Sequence, residues 1–286
     1  MSDQTVSFEK WQALGNDYVI LGAPSLPWEL TSARIRGICD PHFGIGSDGI
    51  LLLSPSSDPD LVADLRIFNP DGSEAELSGN GVREAVLYLH RHGQTPGPRF
   101  SIGTRAGPVT PEIVDDRNAR VEMGQASTQS KDFPSGGDDG RGTLIAAGRE
   151  WEFQHVSVGN PQCVIEAGGE VEDLDLAAIG PEIEHSDFFP NRTNVSFIRI
   201  EGSEVRARIF ERGVGETLSS GTGASGAAVA AVLRGAQSPI TVRLDGGELQ
   251  VEVSEDLDVR LTGWAEPICT GELSAELIAA LGELDG

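Results

Sequence analysis

The chain carries Arg66-Ile67-Phe68 and Ser78-Gly79-Asn80-Gly81, and 142 residues later it carries Arg208-Ile209-Phe210 and Ser220-Gly221-Thr222-Gly223. Glu74 matches Glu216 in the same register, and a looser pair of Gly-Asn dipeptides lies at Gly15 and Gly159. Ungapped matches at half of a 286-residue chain indicate duplication. We therefore expect two related domains, which we place at residues 1–122 with 265–286 and at residues 123–264.

In each copy a β-rich run precedes a glycine-rich turn and a helical pattern follows it. The first helix has an apolar face, with Gly93 suited to the C-cap. The second carries alanines, which suit a helix enclosed on most sides. Further β-rich segments lie between turn residues, so the fold class is α+β with more strand than helix. These segments are residues 49–54, 119–123, 240–244, 249–253 and 259–261, whereas residues 125–142 are predicted to form a loop.

The charge balance excludes several classes of partner. The chain has 21 Lys and Arg against 45 Asp and Glu, a formal net charge of −24. So acidic a surface repels nucleic acid and anionic lipid. Only Lys10 and Lys131 are lysines, and strong acidity of this kind fits a salty cytoplasm, where screening removes most self-repulsion.

Other kinds of site and location are also disfavoured by the sequence. Three cysteines without CxxC spacing predict buried reduced thiols, and the five histidines form no metal-ligand pattern. Residues 44–49 and 221–226 match the dinucleotide glycine pattern, but the first leads into a strand and the second has no matching partner in the repeat. With neither a signal peptide nor a membrane-length apolar run, we expect a cytoplasmic protein.

The repeated Ser-Gly-x-Gly places hydroxyl and backbone N–H groups at a helix N-terminus, where a carboxylate is favoured. Spacing alone favours the interpretation of Ser78 and Ser220 as ordinary N-caps. Polar side chains near the two turns favour a ligand: Asn69, Asp71, Glu74, Glu211, Arg212 and Glu216. A small molecule with a carboxylate, held from both halves, is the predicted ligand.

Many motifs in order resemble the diaminopimelate epimerases, a cofactor-independent family of amino-acid isomerases. They include residues 14–18 (LGNDY), 44–49 (GIGSDG), 68–73 (FNPDGS), 78–83 (SGNGVR), 158–161 (VGNP), 194–195 (NV), 211–217 (ERGVGET) and 220–224 (SGTGA). The resemblance implies two pseudo-symmetric domains, each a mixed β-barrel-like sheet around a central helix, with the active-site cleft between them. It further implies a homodimer that interconverts LL- and meso-diaminopimelate in lysine biosynthesis, without pyridoxal phosphate.

The family uses two cysteines on opposite faces of the substrate α-carbon, and this chain has Ser78 and Ser220 there. Gln162 stands in place of a histidine, and Glu84 in place of a common further cysteine. With Glu211, the two serines and Gln162 are the candidate catalytic residues. The resemblance implies that substrate is bound by Asn16, Asn69, Gly79, Asn80, Asn160, Asn194, Glu211, Arg212, Gly221 and Thr222, and by Gly49 where some members have glutamine.

Serine is a weak base unless a neighbour activates it, so three explanations are open. In the first explanation, the two cysteines of an otherwise intact epimerase were exchanged for serine by engineering. Alternatively, a natural homologue binds the amino acid without racemising it. Thirdly, the site performs an isomerisation or dehydration with a carboxylate base, for which Glu211, Glu74 and Glu216 are the candidates.

Overall fold

Each half of the chain folds as a mixed β-sheet with a long helix packed against it. The computed structural model describes residues 5–284. It divides the chain into a first unit, Met1–Val121 with Trp264–Gly286, and a second unit, Glu122–Gly263. The confirmed fold class is therefore α+β, with two mixed-sheet units.

Nineteen β-strands and five α-helices occur within residues 5–284. The strands are β1 (Ser7–Ala13), β2 (Asn16–Gly22), β3 (Ile50–Ser54), β4 (Asp64–Phe68), β5 (Glu74–Ala75), β6 (Ile102–Thr104), β7 (Gly107–Val109), β8 (Glu112–Ile113), β9 (Asn118–Gln125), β10 (Arg141–Ala146), β11 (Arg149–Ser157), β12 (Pro161–Glu166), β13 (Asn194–Glu201), β14 (Glu204–Glu211), β15 (Gly215–Thr217), β16 (Ile240–Leu244), β17 (Gly247–Val253), β18 (Asp258–Trp264) and β19 (Glu266–Glu272). The α-helices are α1 (Ser32–Cys39), α2 (Gly79–Arg91), α3 (Leu176–Glu184), α4 (Gly221–Leu233) and α5 (Ala275–Glu283).

The first unit has the strand order β19-β1-β2-β3-β4-β6-β7, with β5 paired to β4. The second sheet runs β10-β11-β12-β13-β14-β16-β17-β18-β9-β8, with β15 paired to β14. Parallel pairs occur at matching places: β2 with β3 and β12 with β13, then β4 with β6 and β14 with β16. The duplication seen in the sequence is thus repeated in the topology.

One ion pair makes the repeat visible in side chains. Arg66 Nε donates to Glu74 Oε1 over 2.9 Å, and Arg208 Nε donates to Glu216 Oε1 over 2.8 Å. Both pairs join the strand before the turn to the short strand after it, β4 to β5 and β14 to β15. The pairs hold the two turns that lead into α2 and α4.

The helix α4 is enclosed along most of its length, as its alanines predict. Residues 223–231 are all buried, and strands β11 to β14, β16 and β17 contact the helix. Small side chains allow this close approach: a Cβ on Gly223 would lie 2.6 Å from Ile209 Cδ1 on β14. Helix α2 packs on β1, β2 and β3 in the first unit.

Each unit has its own apolar core. In the second unit Phe133, Phe153 and Phe189 form an aromatic cluster with ring centroids 5.3–5.7 Å apart. Burial of each such ring contributes about 1.5–3 kcal/mol. In the first unit Val19, Ile35 and Ile50 lie in a separate cluster with residues of α5.

The predicted loop at residues 125–142 needs correction at both ends. Gln125 ends β9, and Arg141 and Gly142 begin β10. Between them Phe133 is buried in the core, so this polar stretch is anchored by one aromatic side chain. Within residues 5–284 no helix is long and apolar enough to cross a membrane.

Candidate active site

Ser78 and Ser220 occupy the same structural position, the N-caps of α2 and α4. Their backbones are extended, with φ/ψ of −136°/120° and −145°/121°. The Ser78 hydroxyl accepts from the Gly81 N–H over 3.1 Å, and the Ser220 hydroxyl accepts from the Gly223 N–H over 3.2 Å. The capping interpretation is confirmed, and a helix N-terminus also favours a nearby negative charge.

The Ser220 hydroxyl has a carboxylate partner. It donates to Glu211 Oε2 over 2.9 Å, while Thr217 Oγ1 donates to Glu211 Oε1 over 2.8 Å. Burial raises the pKa of Glu211, and the bonds from Thr217 and Ser220 offset part of that rise. A carboxylate placed to accept a serine proton is the arrangement of an activated nucleophile or base.

Ser78 has a different partner. The Tyr18 hydroxyl donates to Ser78 Oγ over 3.3 Å. Asn69 stands where the repeat would place a counterpart of Glu211, but its amide donates to Ser73 over 2.9 Å. Sequence reasoning missed Tyr18, although the 144-residue offset of the looser repeat aligns it with Gln162, a residue already selected.

A series of hydrogen bonds, each donated by one side chain to the next, orients the side-chain amides of Asn80 and Asn16 in the first unit. Arg83, which is fully buried, donates to Asn80 Oδ1 over 2.6 Å. Asn80 donates to Asn16 Oδ1 over 3.1 Å, and Asn16 donates to Asp48 Oδ2 over 3.1 Å. Arg83 also donates to the Gly79 carbonyl over 3.2 Å. The structure thus brings Asn16, Gly79 and Asn80 together at the start of α2, near Ser78.

A matching chain lies in the second unit. Gln162 Nε2 donates to Asn160 Oδ1 over 2.7 Å, and Asn160 Nδ2 donates to Thr222 Oγ1 over 3.2 Å. Gln162 is fully buried on β12, and its Oε1 has no hydrogen-bond partner among the described residues. Gln162 therefore orients Asn160 beside Thr222, in the first turn of α4 after Gly221.

Asn194 and Arg212 are tied to the protein itself. The buried Asn194 donates to the Pro161 carbonyl over 3.0 Å and accepts from the Arg212 N–H over 2.9 Å. The Arg212 side chain donates to the Asn191 carbonyl over 3.0 Å. Asn194 therefore fixes the backbone after Glu211, at the end of β14.

Gly49 has no side chain, so only its backbone groups could contact a substrate. A Cβ there would lie 2.2 Å from the Phe68 carbonyl oxygen and 2.7 Å from the Tyr18 ring. The glutamine that the resemblance suggests for this position does not fit this backbone, and Gly49 instead makes room for the Tyr18 ring. Its carbonyl accepts from the Val19 N–H over 3.0 Å and from the Ser47 hydroxyl over 2.8 Å.

Glu84, next to Arg83 on α2, is an unusual buried acid. It is fully buried, and no described side chain donates a hydrogen bond to either carboxylate oxygen. Burial raises its pKa well above 4.5, and Asp17 and Asp48 raise it further, while Arg83 and the backbone N–H of Tyr18 lower it. The sequence marked Glu84 only as a departure from the family pattern.

The fold of the chain is shared with solved structures of other proteins. A solved structure of a probable proline racemase from Agrobacterium radiobacter K84 superposes with a TM-score of 0.66 and 16% identity, covering 94% of this chain and 93% of that one. At this identity the likeness concerns the fold alone.

Sequence comparison defines the family. The diaminopimelate epimerase model matches residues 8–129 and 154–266. The diaminopimelate epimerase of Pelotomaculum thermopropionicum is 39% identical over 280 residues, covering 93% of this chain and 98% of that protein. Diaminopimelate epimerase 2 of a Nostoc species is 39% identical over 283 residues, covering 96% and 98%. The chain belongs to the diaminopimelate epimerase family.

Proposed function

We propose that this protein is a diaminopimelate epimerase, an isomerase that inverts the α-carbon of LL-diaminopimelate to give the meso form. Family membership and the names of the relatives support the substrate. The observation that carries the proposal is the Ser220–Glu211 hydrogen bond of 2.9 Å. It supplies the base that a lone serine lacks.

In the proposed reaction, Ser220 takes the α-proton while its own proton passes to Glu211. A carboxylate acts as a base only when ionised, and a raised pKa makes it a stronger one. Burial raises the pKa of Glu211 and so favours this role. Ser78 returns a proton to the opposite face of the carbon, which inverts it.

The substrate α-carboxylate is held at the N-termini of α2 and α4 in this proposal. Backbone N–H groups and the helix dipole favour an anion there. Charge that develops on the carboxylate during proton removal is stabilised by the same donors. Further polar contacts come from the residues that the two hydrogen-bond chains orient, Asn16, Asn80, Asn160 and Thr222. Asn69 and Arg212 are proposed to contact the substrate as well.

The active site is proposed to lie in a cleft between the two domains, so that each contributes one serine. We also propose a homodimer in a salty cytoplasm. The excess of 45 acidic over 21 basic residues supports the salt adaptation, and the family resemblance suggests the dimer.

A second candidate is a protein that binds the amino acid without inverting it. It is favoured by one observation: Asn69, at the position matching Glu211, bonds Ser73 and leaves Ser78 without a carboxylate. Conversion of LL- to meso-diaminopimelate by the purified chain in molar salt, followed by chiral chromatography, separates the two. Time-dependent conversion supports the epimerase, and tight binding without conversion supports the second candidate.

A further inference from the structure

The two capping serines have opposite hydrogen-bond polarity. Ser220 donates its hydroxyl proton to Glu211 over 2.9 Å and accepts the Gly223 N–H. Ser78 accepts twice, from the Tyr18 hydroxyl over 3.3 Å and from the Gly81 N–H over 3.1 Å. The Ser78 proton is therefore left for a further acceptor, whereas the Ser220 proton is already engaged.

Donors around an oxygen favour its deprotonated form. Two donors and the N-terminus of α2 face Ser78 Oγ, so this oxygen is suited to losing a proton. An alkoxide is nevertheless a poor product, because an aliphatic alcohol is a very weak acid. A phenol has an ordinary pKa of about 10, nearer to the thiol value of about 8.5.

We infer that Tyr18 acts through Ser78 as the source of the proton returned to the substrate α-carbon, so that the first unit is the acid side and the second unit the base side in the direction in which Ser220 removes the α-proton. This inference rests on the proposed function. In this inference the Tyr18–Ser78 pair donates the proton that a single cysteine thiol donates in the family mechanism.

The proton transfers balance. The α-carbon–hydrogen bond breaks, its proton goes to Ser220 Oγ, and the Ser220 proton goes to Glu211. A new carbon–hydrogen bond forms with the Ser78 proton, and the Tyr18 proton moves to Ser78 Oγ. Glu211 is left protonated and Tyr18 as phenolate, and proton exchange with water restores both.

The position of Tyr18 is fixed by its surroundings. The residue is 6% exposed, on β2, and its ring lies against Gly49, where any side chain would collide with it. The 3.3 Å distance to Ser78 is long for a hydroxyl donor. Hydrogen bonds of this kind tighten in the substrate complex.

A double-mutant cycle tests the inference with four chains: unaltered, Tyr18→Phe, Ser78→Cys and the combination. A thiol in place of the Ser78 hydroxyl is its own acid and does not need the phenol. We expect Tyr18→Phe to slow inversion about 100-fold with Ser78. In the Ser78→Cys background the same change should alter the rate by less than about threefold. Tyr88→Phe, which removes the chain's other phenol, is the matched control and should leave the rate unchanged.

Deuterium uptake in D₂O supplies a second readout. For the diastereomer whose α-proton faces Ser220, Tyr18→Phe should retain uptake at the α-carbon while losing inversion, because the base side is intact. If Tyr18→Phe lowers the rate of inversion equally in the Ser78 and Ser78→Cys backgrounds, the role of Tyr18 is overturned while the proposed function stands. The same holds if Tyr18→Phe causes no loss of rate in the chain with Ser78. Absence of inversion in the unaltered chain would overturn the proposed function, and this inference with it.

Discussion

Ser220 donates its hydroxyl proton to the Glu211 carboxylate over 2.9 Å, at the point where β14 and the cap of α4 come together. The corresponding pair in the first unit, Asn69 and Ser78, has no such bond. Duplication therefore preserved the two turns and caps, while the proton acceptor is present in one half. The chemistry we propose depends on this difference.

Replacing Glu211 with glutamine should lower the rate of epimerisation at least about 100-fold, because the amide cannot accept the Ser220 proton as a base. Substrate binding, measured by calorimetry, should change little. Glu216→Gln is the matched control, since that carboxylate pairs with Arg208. A Glu211→Gln chain with undiminished turnover would show that Glu211 is not the base.

Acid should inactivate the enzyme through Glu211. Burial raises the pKa of this group above 4.5, and the protonated form cannot accept a proton. We therefore expect kcat/KM to fall as the pH decreases through a midpoint above 4.5. The profile is measured in molar salt with a pH-stability control. A rate that is constant down to pH 4.5 would contradict the assignment.

Glu84 should make stability depend on pH. Burial raises its pKa in the folded state well above the value of 4.5, so its contribution to stability is fully present below pH 4.5 and is lost as the pH rises through the folded-state pKa. Between pH 4.5 and the folded-state pKa, the unaltered chain should lose about 1.4 kcal/mol of unfolding free energy per pH unit relative to the Glu84→Gln chain. Denaturant titrations from pH 4 to 8 measure the difference. Parallel pH curves for the two chains would show that Glu84 does not titrate in this way.

The two equivalent arginines should differ in their effect on stability. Arg66 is 51% exposed, so Arg66→Ala should cost at most about 1 kcal/mol. Arg208 is 14% exposed and also donates to the Val171 and Leu174 carbonyls, over 2.9 and 2.8 Å. Arg208→Ala should therefore cost about 2–4 kcal/mol. Denaturant midpoints compare them, and equal losses would argue against the difference in burial.

Local patterns were sufficient to predict much of the fold. The runs at residues 65–68 and 205–210 became β4 and β14, and the glycine-rich turns lead into α2 and α4. Gly93 ends its helix in the left-handed region, at φ 66°. These features depend on short-range periodicity and capping, which a single sequence displays directly.

Contacts between distant residues were not visible in the sequence. Tyr18 and Ser78 lie 60 residues apart, and an aromatic residue in an apolar strand is ordinarily core. Glu84 was unexpected because charged side chains are rarely fully buried. In both cases the packing of α2 on the sheet determines the environment.

The most direct test is deuterium exchange at the substrate α-carbon, followed by NMR in D₂O with molar salt. The unaltered chain, Glu211→Gln and a Ser78→Cys, Ser220→Cys double variant are compared with LL- and meso-diaminopimelate. We predict exchange by the unaltered chain, loss with Glu211→Gln and faster exchange by the double variant, whose thiols are better acids and bases. Exchange by the double variant alone would contradict serine-mediated proton transfer, and exchange by none of the chains would contradict the substrate.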